Sequence, residues 1–238
     1  MAIAPNGDHG QPLLSVIIPV FNEHATVADL LTRVLSVHLP KQVIAVDDGS
    51  TDGSPEVLRR FASEGSIELV EHSVNRGKGA AIRSGLQQAR GDIILIQDAD
   101  LEYEPSAYHV LVAPFFINPG CTVVFGSRFL GETGEMSRWH RFGNRFVTRT
   151  FNVLYRTNLT DMETCYKAIR RAALEPISLQ SDRWGFDPEI TAKLVRAGYV
   201  IVEVPVDYSG RDFGDGKKLR WGDGFSVMRA ILRYRFLD

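Results

Sequence analysis

The stretch GDIILIQDADLEYEP, residues 91–105, places four aliphatic residues almost directly before two aspartates that are separated by one alanine. Alternate side chains of a β-strand point to the same face, so a strand that persists through Asp100 would project the carboxylates of Asp98 and Asp100 together. Two such charges about 4 Å apart repel by roughly 4 kcal/mol at an effective dielectric near 20. A bound divalent cation would offset that cost. The alternative is a polar strand end whose acids point into solvent.

The composition is that of a globular protein with one large domain. Of 238 residues, 44% are hydrophobic and 24% are charged. The formal net charge of −2 gives no reason to expect a nucleic-acid partner. Cys121 and Cys165 form neither a disulfide framework nor a metal knuckle, which suits a reducing compartment. With no signal peptide and no membrane-spanning run, we expect a cytoplasmic protein that can lie on the cytoplasmic membrane face, with a flexible N-terminus over residues 1–12.

Short β-branched runs alternate with helical patterns over the first half of the chain. The apolar runs are mostly continuous rather than alternating, as in buried parallel strands. Helix starts are indicated by Thr26 and by Thr51 or Asp52. This order predicts an α/β fold with a mainly parallel sheet. The predicted strands cover residues 13–20, 42–48, 67–72, 92–100 and 122–128.

Polar clusters follow the first four predicted strands. Their sequences are PVFNEH, DDGSTDGS, SVNRGKGAA and DADLE. Parallel sheets bind ligands at the carboxyl ends of their strands, where these clusters fall. One cluster could be ordinary turn chemistry, because Asp, Asn, Gly and Ser favour turns. Four clusters at one edge indicate a binding site.

These motifs together resemble the family 2 nucleotide-sugar glycosyltransferases of the GT-A fold, a Rossmann-like α/β architecture, over about residues 13–224. The segments GSRF, TDMETCYKAIRR, RWGFDPEI and EVPVDYSGRDFGDGKK are most similar to polyprenyl-phosphate sugar synthases of the dolichyl-phosphate mannose or glucose type. The resemblance implies a single GT-A domain. It also implies inverting, metal-dependent transfer of a hexose from a nucleotide sugar, of the UDP-glucose or GDP-mannose type, to a polyprenyl or dolichyl phosphate.

The resemblance also assigns the nucleotide site. Lys78 lies between two glycines and would meet a phosphate or a base edge, although the Walker A spacing is absent. Helix capping and turn formation remain the alternative for Glu23 and for Asp47 or Asp48. The residues placed against the nucleoside are Pro19, Phe21, Asn22, Glu23 and Asp48.

The resemblance implies that the two aspartates, Asp98 and Asp100, bind a metal ion. Hard oxygen ligands hold Mg²⁺ or Mn²⁺, which stabilises the charge of a departing diphosphate. Asp98 would contact the metal or the ribose, and Asp100 the metal. Glu102 stands where related synthases often have Gln, so it could ligate the ion or merely tighten the site.

Three basic residues match the phosphate contacts of the family. They are Arg128, Arg211 and Lys217, and the planar fork of arginine suits a phosphate well. A solvated surface side chain is the alternative for each. The glycine-rich segment 207–224 is predicted to be a lid that closes when Arg211 and Lys217 meet the donor diphosphate.

The acceptor decides whether a catalytic base is needed. A sugar hydroxyl must lose a proton as it attacks, whereas a phosphate is already an anion. Asp161 and Glu163 could each serve as a base, bind hydroxyls of the donor sugar, or be a structural acid at a strand start. A family 2 enzyme that uses one of them on a soluble or saccharide hydroxyl is therefore the second hypothesis.

Two basic stretches bear on a lipid acceptor. Residues 138–156 and 224–238 combine arginines with aromatic and aliphatic residues at helical spacing. A basic amphipathic helix can lie at an anionic membrane surface, or its apolar stripe can belong to the core. We expect the C-terminal helix, residues 225–238, to be membrane-peripheral.

Other classes of protein share parts of this pattern. A haloacid-dehalogenase-like phosphatase also has D-x-D after a strand, but it has Thr near the position of Glu102. A sugar nucleotidyltransferase would need a glycine-rich first loop. A nucleotide-sugar-binding or lipid-docking module without turnover is the non-enzymatic alternative.

Overall fold

The computed structural model describes residues 13–131, 136–210 and 223–237. Their centre is a seven-stranded sheet in the order β3-β2-β1-β4-β6-β5-β7. Every pairing is parallel except the two made by β6. The strands are β1 (Leu14–Val20), β2 (Lys41–Asp47), β3 (Glu68–Glu71), β4 (Ile93–Ile96), β5 (Val123–Ser127), β6 (Lys167–Arg170) and β7 (Ile201–Pro205).

Helices flank the sheet. A short 3-10 turn, Pro105–Ala107, leads into the fourth helix. Within the described ranges, no helix is both long and apolar enough to span a bilayer. The helices are α1 (Val27–Ser36), α2 (Ser54–Ser63), α3 (Lys78–Gln88), α4 (Tyr108–Ile117), α5 (Arg138–Tyr155), α6 (Arg171–Leu174), α7 (Phe186–Arg196) and α8 (Asp223–Phe236).

The predicted α/β fold with a mainly parallel sheet is confirmed. Four of the five predicted strands agree with the structure to within one residue at each end, but β4 ends at Ile96 rather than at Asp100. Strands β6 and β7 were not predicted. Thr26 is the N-cap of α1, as expected, whereas α2 begins at Ser54, after the predicted Thr51 or Asp52. The Asp52 carboxylate nevertheless accepts a hydrogen bond from the Ser54 amide.

The core of the molecule lies around the central strands. Val16 of β1 is in register with Val43 of β2 and with Leu95 of β4. These side chains are buried because the strands are covered on both faces, which explains their continuous apolar sequences. The register brings the carboxyl ends of β1, β2 and β4 to one edge. The antiparallel β6 brings its amino end, and the residues before it, to that same edge.

The C-terminal helix belongs partly to a second apolar cluster. Ile231 and Tyr234 of α8 are buried with Phe151 and Tyr155 of α5. The Tyr155 hydroxyl also donates to the Ile231 carbonyl at 2.8 Å. The segment expected to be membrane-peripheral is therefore packed along one side, and only its other side is available to a membrane.

Candidate active site

The loop after β1 is tied to the loop after β2. The Asn22 amide donates to Ser50 Oγ at 3.0 Å, and the Thr51 amide donates back to Asn22 Oδ1 at 2.8 Å. The Glu23 amide donates to Ser54 Oγ at 2.9 Å. Asn22 has a φ of +51°, a conformation that asparagine tolerates better than most residues. The first two polar clusters therefore form one connected wall.

That wall reaches the segment after β4. Thr26 Oγ1 donates to the Ala99 carbonyl at 2.8 Å and also lies 3.0 Å from Glu23 Oε2. Glu23 is buried and its carboxylate contacts the Thr26 hydroxyl, but the N-cap of α1 is Thr26 rather than Glu23. Pro19 and Phe21, at the end of β1, are half-buried on the same edge. The contacts of Pro19, Phe21, Asn22 and Glu23 with a nucleoside stay predictions.

Asp48 holds the loop that follows β3. Its carboxylate accepts hydrogen bonds from the amides of Arg76 and Gly77 at 2.9 and 2.7 Å. His72 Nδ1 lies 2.7 Å from the same carboxylate, and its Nε2 lies 2.8 Å from Ser84 Oγ. Asp48 is therefore a structural anchor for the NRGKG segment, and its predicted contact with the nucleoside would use its remaining lone pairs.

Lys78 and Asp98 form an ion pair at the edge of the sheet where the carboxyl ends of the parallel strands meet. Lys78 Nζ lies 2.7 Å from Asp98 Oδ1, and both side chains are about one quarter exposed or less. Burial opposes charge on both groups, yet Asp98 raises the pKa of Lys78 and Lys78 lowers the pKa of Asp98. Both groups are consequently charged at neutral pH. The third and fourth polar clusters, which were predicted to lie close together, are thus in direct contact.

Strand β4 ends at Ile96, before Asp98 and Asp100, contrary to the expectation that it continues through Asp100. Residues 97–100 form no strand, and Leu101 has a φ of +61°. Such a φ is rare for a bulky residue and is typically kept at functional sites. Asp100 Oδ1 accepts from the Glu102 amide at 3.2 Å, and Glu102 Oε2 accepts from the Tyr208 hydroxyl at 2.7 Å.

The donor set fits a hard cation in part. Asp98 and Asp100 offer the carboxylate oxygens that Mg²⁺ and Mn²⁺ prefer. Within the described ranges no three His, Cys, Asp or Glu residues are grouped to hold an ion, so Glu102 does not complete a cage with the two aspartates. The diphosphate of a donor would supply the other ligands. The metal role of Asp98, Asp100 and Glu102 stays a prediction.

Arg128 and Asp161 form a buried bidentate pair. Arg128 donates from Nε and Nη2 to the two Asp161 oxygens, each at 2.7 Å, and its amide donates at 3.0 Å. The guanidinium also stacks on Tyr208, 5.3 Å from the ring centre. Glu203 holds the Thr160 and Asp161 amides. Because both its oxygens accept from Arg128, Asp161 acts as the counter-charge that orients this arginine.

Glu163 lies in a crowded group of charges. Burial, reinforced by the Asp187 carboxylate, raises the pKa of Glu163 to about 8. Its Oε1 atom is buried and has no hydrogen-bond partner among the described residues. The fully buried Lys167 pairs with Asp187 at 2.6 Å. At pH 7 most of the Glu163 population is therefore protonated.

Several residues of the site were not predicted. Asp187 lies in RWGFDPEI, a segment that indicated only the resemblance to the family, and Lys167 begins the unpredicted β6. Their pairing joins two segments 20 residues apart, which no local pattern indicates. Tyr208, which contacts both Arg128 and Glu102, had no signal beyond its aromatic character. Arg211, Lys217 and most of the predicted lid lie outside the described residues.

The profile of one protein family matches the chain. Its description is "Glycosyl transferase family 2", and it matches residues 15–178. An undecaprenyl-phosphate 4-deoxy-4-formamido-L-arabinose transferase of Pseudomonas savastanoi pv. phaseolicola is 30% identical, covering 92% of this chain and 62% of that protein. Dolichyl-phosphate beta-glucosyltransferase ALG5A of Trichomonas vaginalis is 28% identical, covering 91% of this chain and 74% of its own length. The chain spans 61% to 65% of the first three curated relatives that it matches.

Solved structures share the fold. Glucosyl-3-phosphoglycerate synthase of Mycobacterium tuberculosis, crystallised with Mn²⁺, UDP and glucosyl-3-phosphoglycerate, superposes with a TM-score of 0.73 at 19% identity, covering 100% of this chain and 88% of that one. Mannosyl-3-phosphoglycerate synthase of Rubrobacter xylanophilus gives a TM-score of 0.71 at 19% identity, with 93% and 73% covered. At this identity the likeness establishes the GT-A architecture.

Proposed function

The chain belongs to glycosyl transferase family 2, and from that membership we propose that it transfers a sugar from a nucleoside diphosphate donor to a polyprenyl phosphate. Two curated relatives are named for transfers that involve undecaprenyl or dolichyl phosphate, which supports this acceptor. UDP is the nucleotide bound in the structure of the glucosyl-3-phosphoglycerate synthase with the same fold, which favours a UDP-sugar donor over a GDP-sugar.

The observation that carries the proposal is the state of the two candidate bases. Asp161 is paired through both oxygens with Arg128, and Glu163 is protonated near neutral pH because its pKa is about 8. At pH 7 Asp161 is held by Arg128 and most of the Glu163 population is protonated, so in most molecules neither offers a free carboxylate to a hydroxyl acceptor. A phosphate acceptor is already an anion and makes no such demand. These two groups therefore favour the lipid phosphate over a saccharide hydroxyl.

The charged residues at the edge suit the two phosphate groups of such a reaction. Lys78 and Arg128 provide positive charge close to the carboxylates Asp98 and Asp161. Asp98 and Asp100 would hold Mg²⁺ or Mn²⁺, which supplies charge stabilisation for the departing diphosphate. Protonated Glu163, which is half-buried, can donate a hydrogen bond to a sugar or phosphate oxygen.

The proposed transfer is a single displacement. An oxygen of the acceptor phosphate forms a bond with the anomeric carbon, the bond from that carbon to the donor diphosphate breaks, and the electron pair leaves with the nucleoside diphosphate. Attack by one nucleophile inverts the anomeric configuration. Asp48 keeps the NRGKG loop in place during this step, and Asp161 keeps Arg128 in place. Because the acceptor is a lipid, the enzyme works at a membrane surface.

A donor panel tests the proposal. UDP- and GDP-sugars are incubated with Mg²⁺ or Mn²⁺, and nucleoside diphosphate release is measured with and without a polyprenyl phosphate. We expect release that depends on the lipid phosphate and falls at least a hundredfold in Asp100→Asn, a loss of about 2.7 kcal/mol in transition-state stabilisation.

The matched control is Asp92→Asn, which removes an exposed carboxylate eight residues earlier and should leave release unchanged. Release that persists at full rate in EDTA would contradict the metal role. Phosphate release from a generic phosphoester would instead favour the phosphatase class.

A further inference from the structure

A cleft of about 470 Å³ is rich in arginine. It lies beside the edge of the sheet that carries the residues predicted to bind the nucleotide, which we call the nucleotide edge. Its four arginines come from three separate segments of the chain. Arg76 precedes α3, Arg183 precedes α7, and Arg229 and Arg233 lie one turn apart on α8. All four side chains are exposed, so they can reach a ligand from outside.

The positive charge of this cleft is not balanced locally. Within residues 13–131, 136–210 and 223–237, no carboxylate lies within 4 Å of any of the four guanidinium groups. The acid that lines the cleft, Asp182, is already paired with Arg83. Four like charges around one opening repel each other unless an anion enters. A phosphate group meets the geometry of arginine best.

An apolar groove adjoins this cleft along α8. It is open to solvent, is lined only by side chains of residues 225–237, has a volume of about 630 Å³, and shares Arg229 and Arg233 with the cleft. Phe225 and Phe236 are 84% and 67% exposed, on the side of α8 away from Ile231 and Tyr234. Residues 224–237 contain no acid. The remaining apolar members of the groove are Met228, Leu232 and Leu237.

We propose that the cleft and the groove together form a docking surface for an anionic membrane. The phosphate of a lipid headgroup enters the arginine cleft, and the apolar side of α8 enters the boundary between headgroups and acyl chains. A free phosphate would leave the groove empty, whereas an apolar peptide would leave four arginines without a carboxylate or phosphate partner. An anionic lipid surface offers both a phosphate for the arginines and an apolar phase for the stripe of α8.

This position would place the nucleotide edge near the membrane. The Arg76 amide donates a hydrogen bond to the Asp48 carboxylate, and Lys78, two residues later, forms an ion pair with Asp98. A membrane bound at Arg76 therefore lies beside the loop that builds the site. The proposal does not depend on the proposed transfer, because binding to a membrane needs neither donor nor acceptor.

Vesicle sedimentation tests the arginine cleft. The protein should bind vesicles of phosphatidylglycerol and not those of phosphatidylcholine alone. Each arginine near an anionic surface contributes about a fivefold factor, so Arg76→Gln/Arg183→Gln should weaken binding about 25-fold. The control Arg59→Gln/Arg60→Gln removes the same charge from α2 and should change binding less than threefold. Equal losses in the two double variants, or no binding to anionic vesicles, would overturn the proposal.

A second pair of variants tests the groove. Phe225→Ser/Phe236→Ser should abolish sedimentation while leaving the fold intact, because both side chains are exposed. The control Ile117→Ser/Val200→Ser changes residues that are 82% and 77% exposed elsewhere on the surface and should bind as the wild type does. Unchanged binding by the phenylalanine variant would overturn the proposal. Vesicle binding without any sugar transfer would contradict the proposed function alone, and transfer without vesicle binding would contradict the docking surface alone.

Discussion

The chemistry of single acids in this site is decided by their partners. Asp98, Asp161 and Glu163 stand in similar polar stretches of the sequence, yet one pairs with a lysine, one with an arginine and one is protonated. Burial raises the cost of charge, so each carboxyl is either neutralised by a cation or keeps its proton. This difference underlies the choice of acceptor proposed above.

Glu163→Gln should change how stability depends on pH. The pKa of Glu163 is raised in the folded protein from 4.5 to about 8, so its contribution to stability is fully present below about pH 4.5 and is lost as the pH rises through about 8. Glutamine does not titrate. Thermal unfolding should therefore give the variant a higher Tm relative to wild type at pH 8 than at pH 5. An equal difference at both values would show that Glu163 ionises normally.

Asp161→Asn should unfold the protein more readily, because it leaves the buried Arg128 guanidinium without its counter-charge. Removing one partner of a buried ion pair costs about 3–5 kcal/mol. The control Asp29→Asn removes one of the two carboxylate partners of the exposed Arg33, which keeps Glu104, and should destabilise the protein far less. Urea unfolding measures both losses. Similar losses for the two variants would contradict the buried, structural role of Asp161.

At the scale of elements, the strands and turns that depend on local sequence signals could be predicted. The β-branched runs of β1, β2, β3 and β5 and the turn residues after them are local signals. The end of β4 was not predictable from alternation, because the strand ends at Ile96 although the Gln97 amide still donates to the Ile17 carbonyl, and Leu101 takes a positive φ. Antiparallel β6 was missed because its position between β4 and β5 depends on long-range pairing.

The loop before α3 depends on one glycine. Gly77 has a φ of +101°, and a Cβ there would collide with the Asp182 carbonyl oxygen. Gly77→Ala should therefore destabilise the protein and weaken nucleotide binding together, because this loop also carries Lys78. Gly143→Ala, on α5 with open space around it, should be neutral or stabilising by up to about 1 kcal/mol. Denaturant unfolding and nucleotide titration measure the two effects. A tolerated Gly77→Ala would mean that the loop can move away from Asp182.

At the scale of the whole molecule, the sheet order explains why distant motifs meet. Parallel β1, β2, β3 and β4 carry four polar clusters to one edge, and antiparallel β6 carries Asp161 and Glu163 there from the opposite direction. The gathering of clusters after the first four strands was predictable, since parallel strands share one binding edge. The pairs Arg128–Asp161 and Lys167–Asp187 were not, because they join segments that only the three-dimensional fold brings together.

The central claim, transfer to a lipid phosphate, is tested most directly by two acceptors that differ only in the phosphate. Polyprenyl phosphate and the corresponding polyprenol are offered in the same detergent with the same donor at pH 7, and the products are identified by mass. The account predicts a glycosylated product with polyprenyl phosphate only, because Asp161 is held by Arg128 and Glu163 is largely protonated at pH 7. A glycosylated polyprenol, formed at a comparable rate, would contradict it.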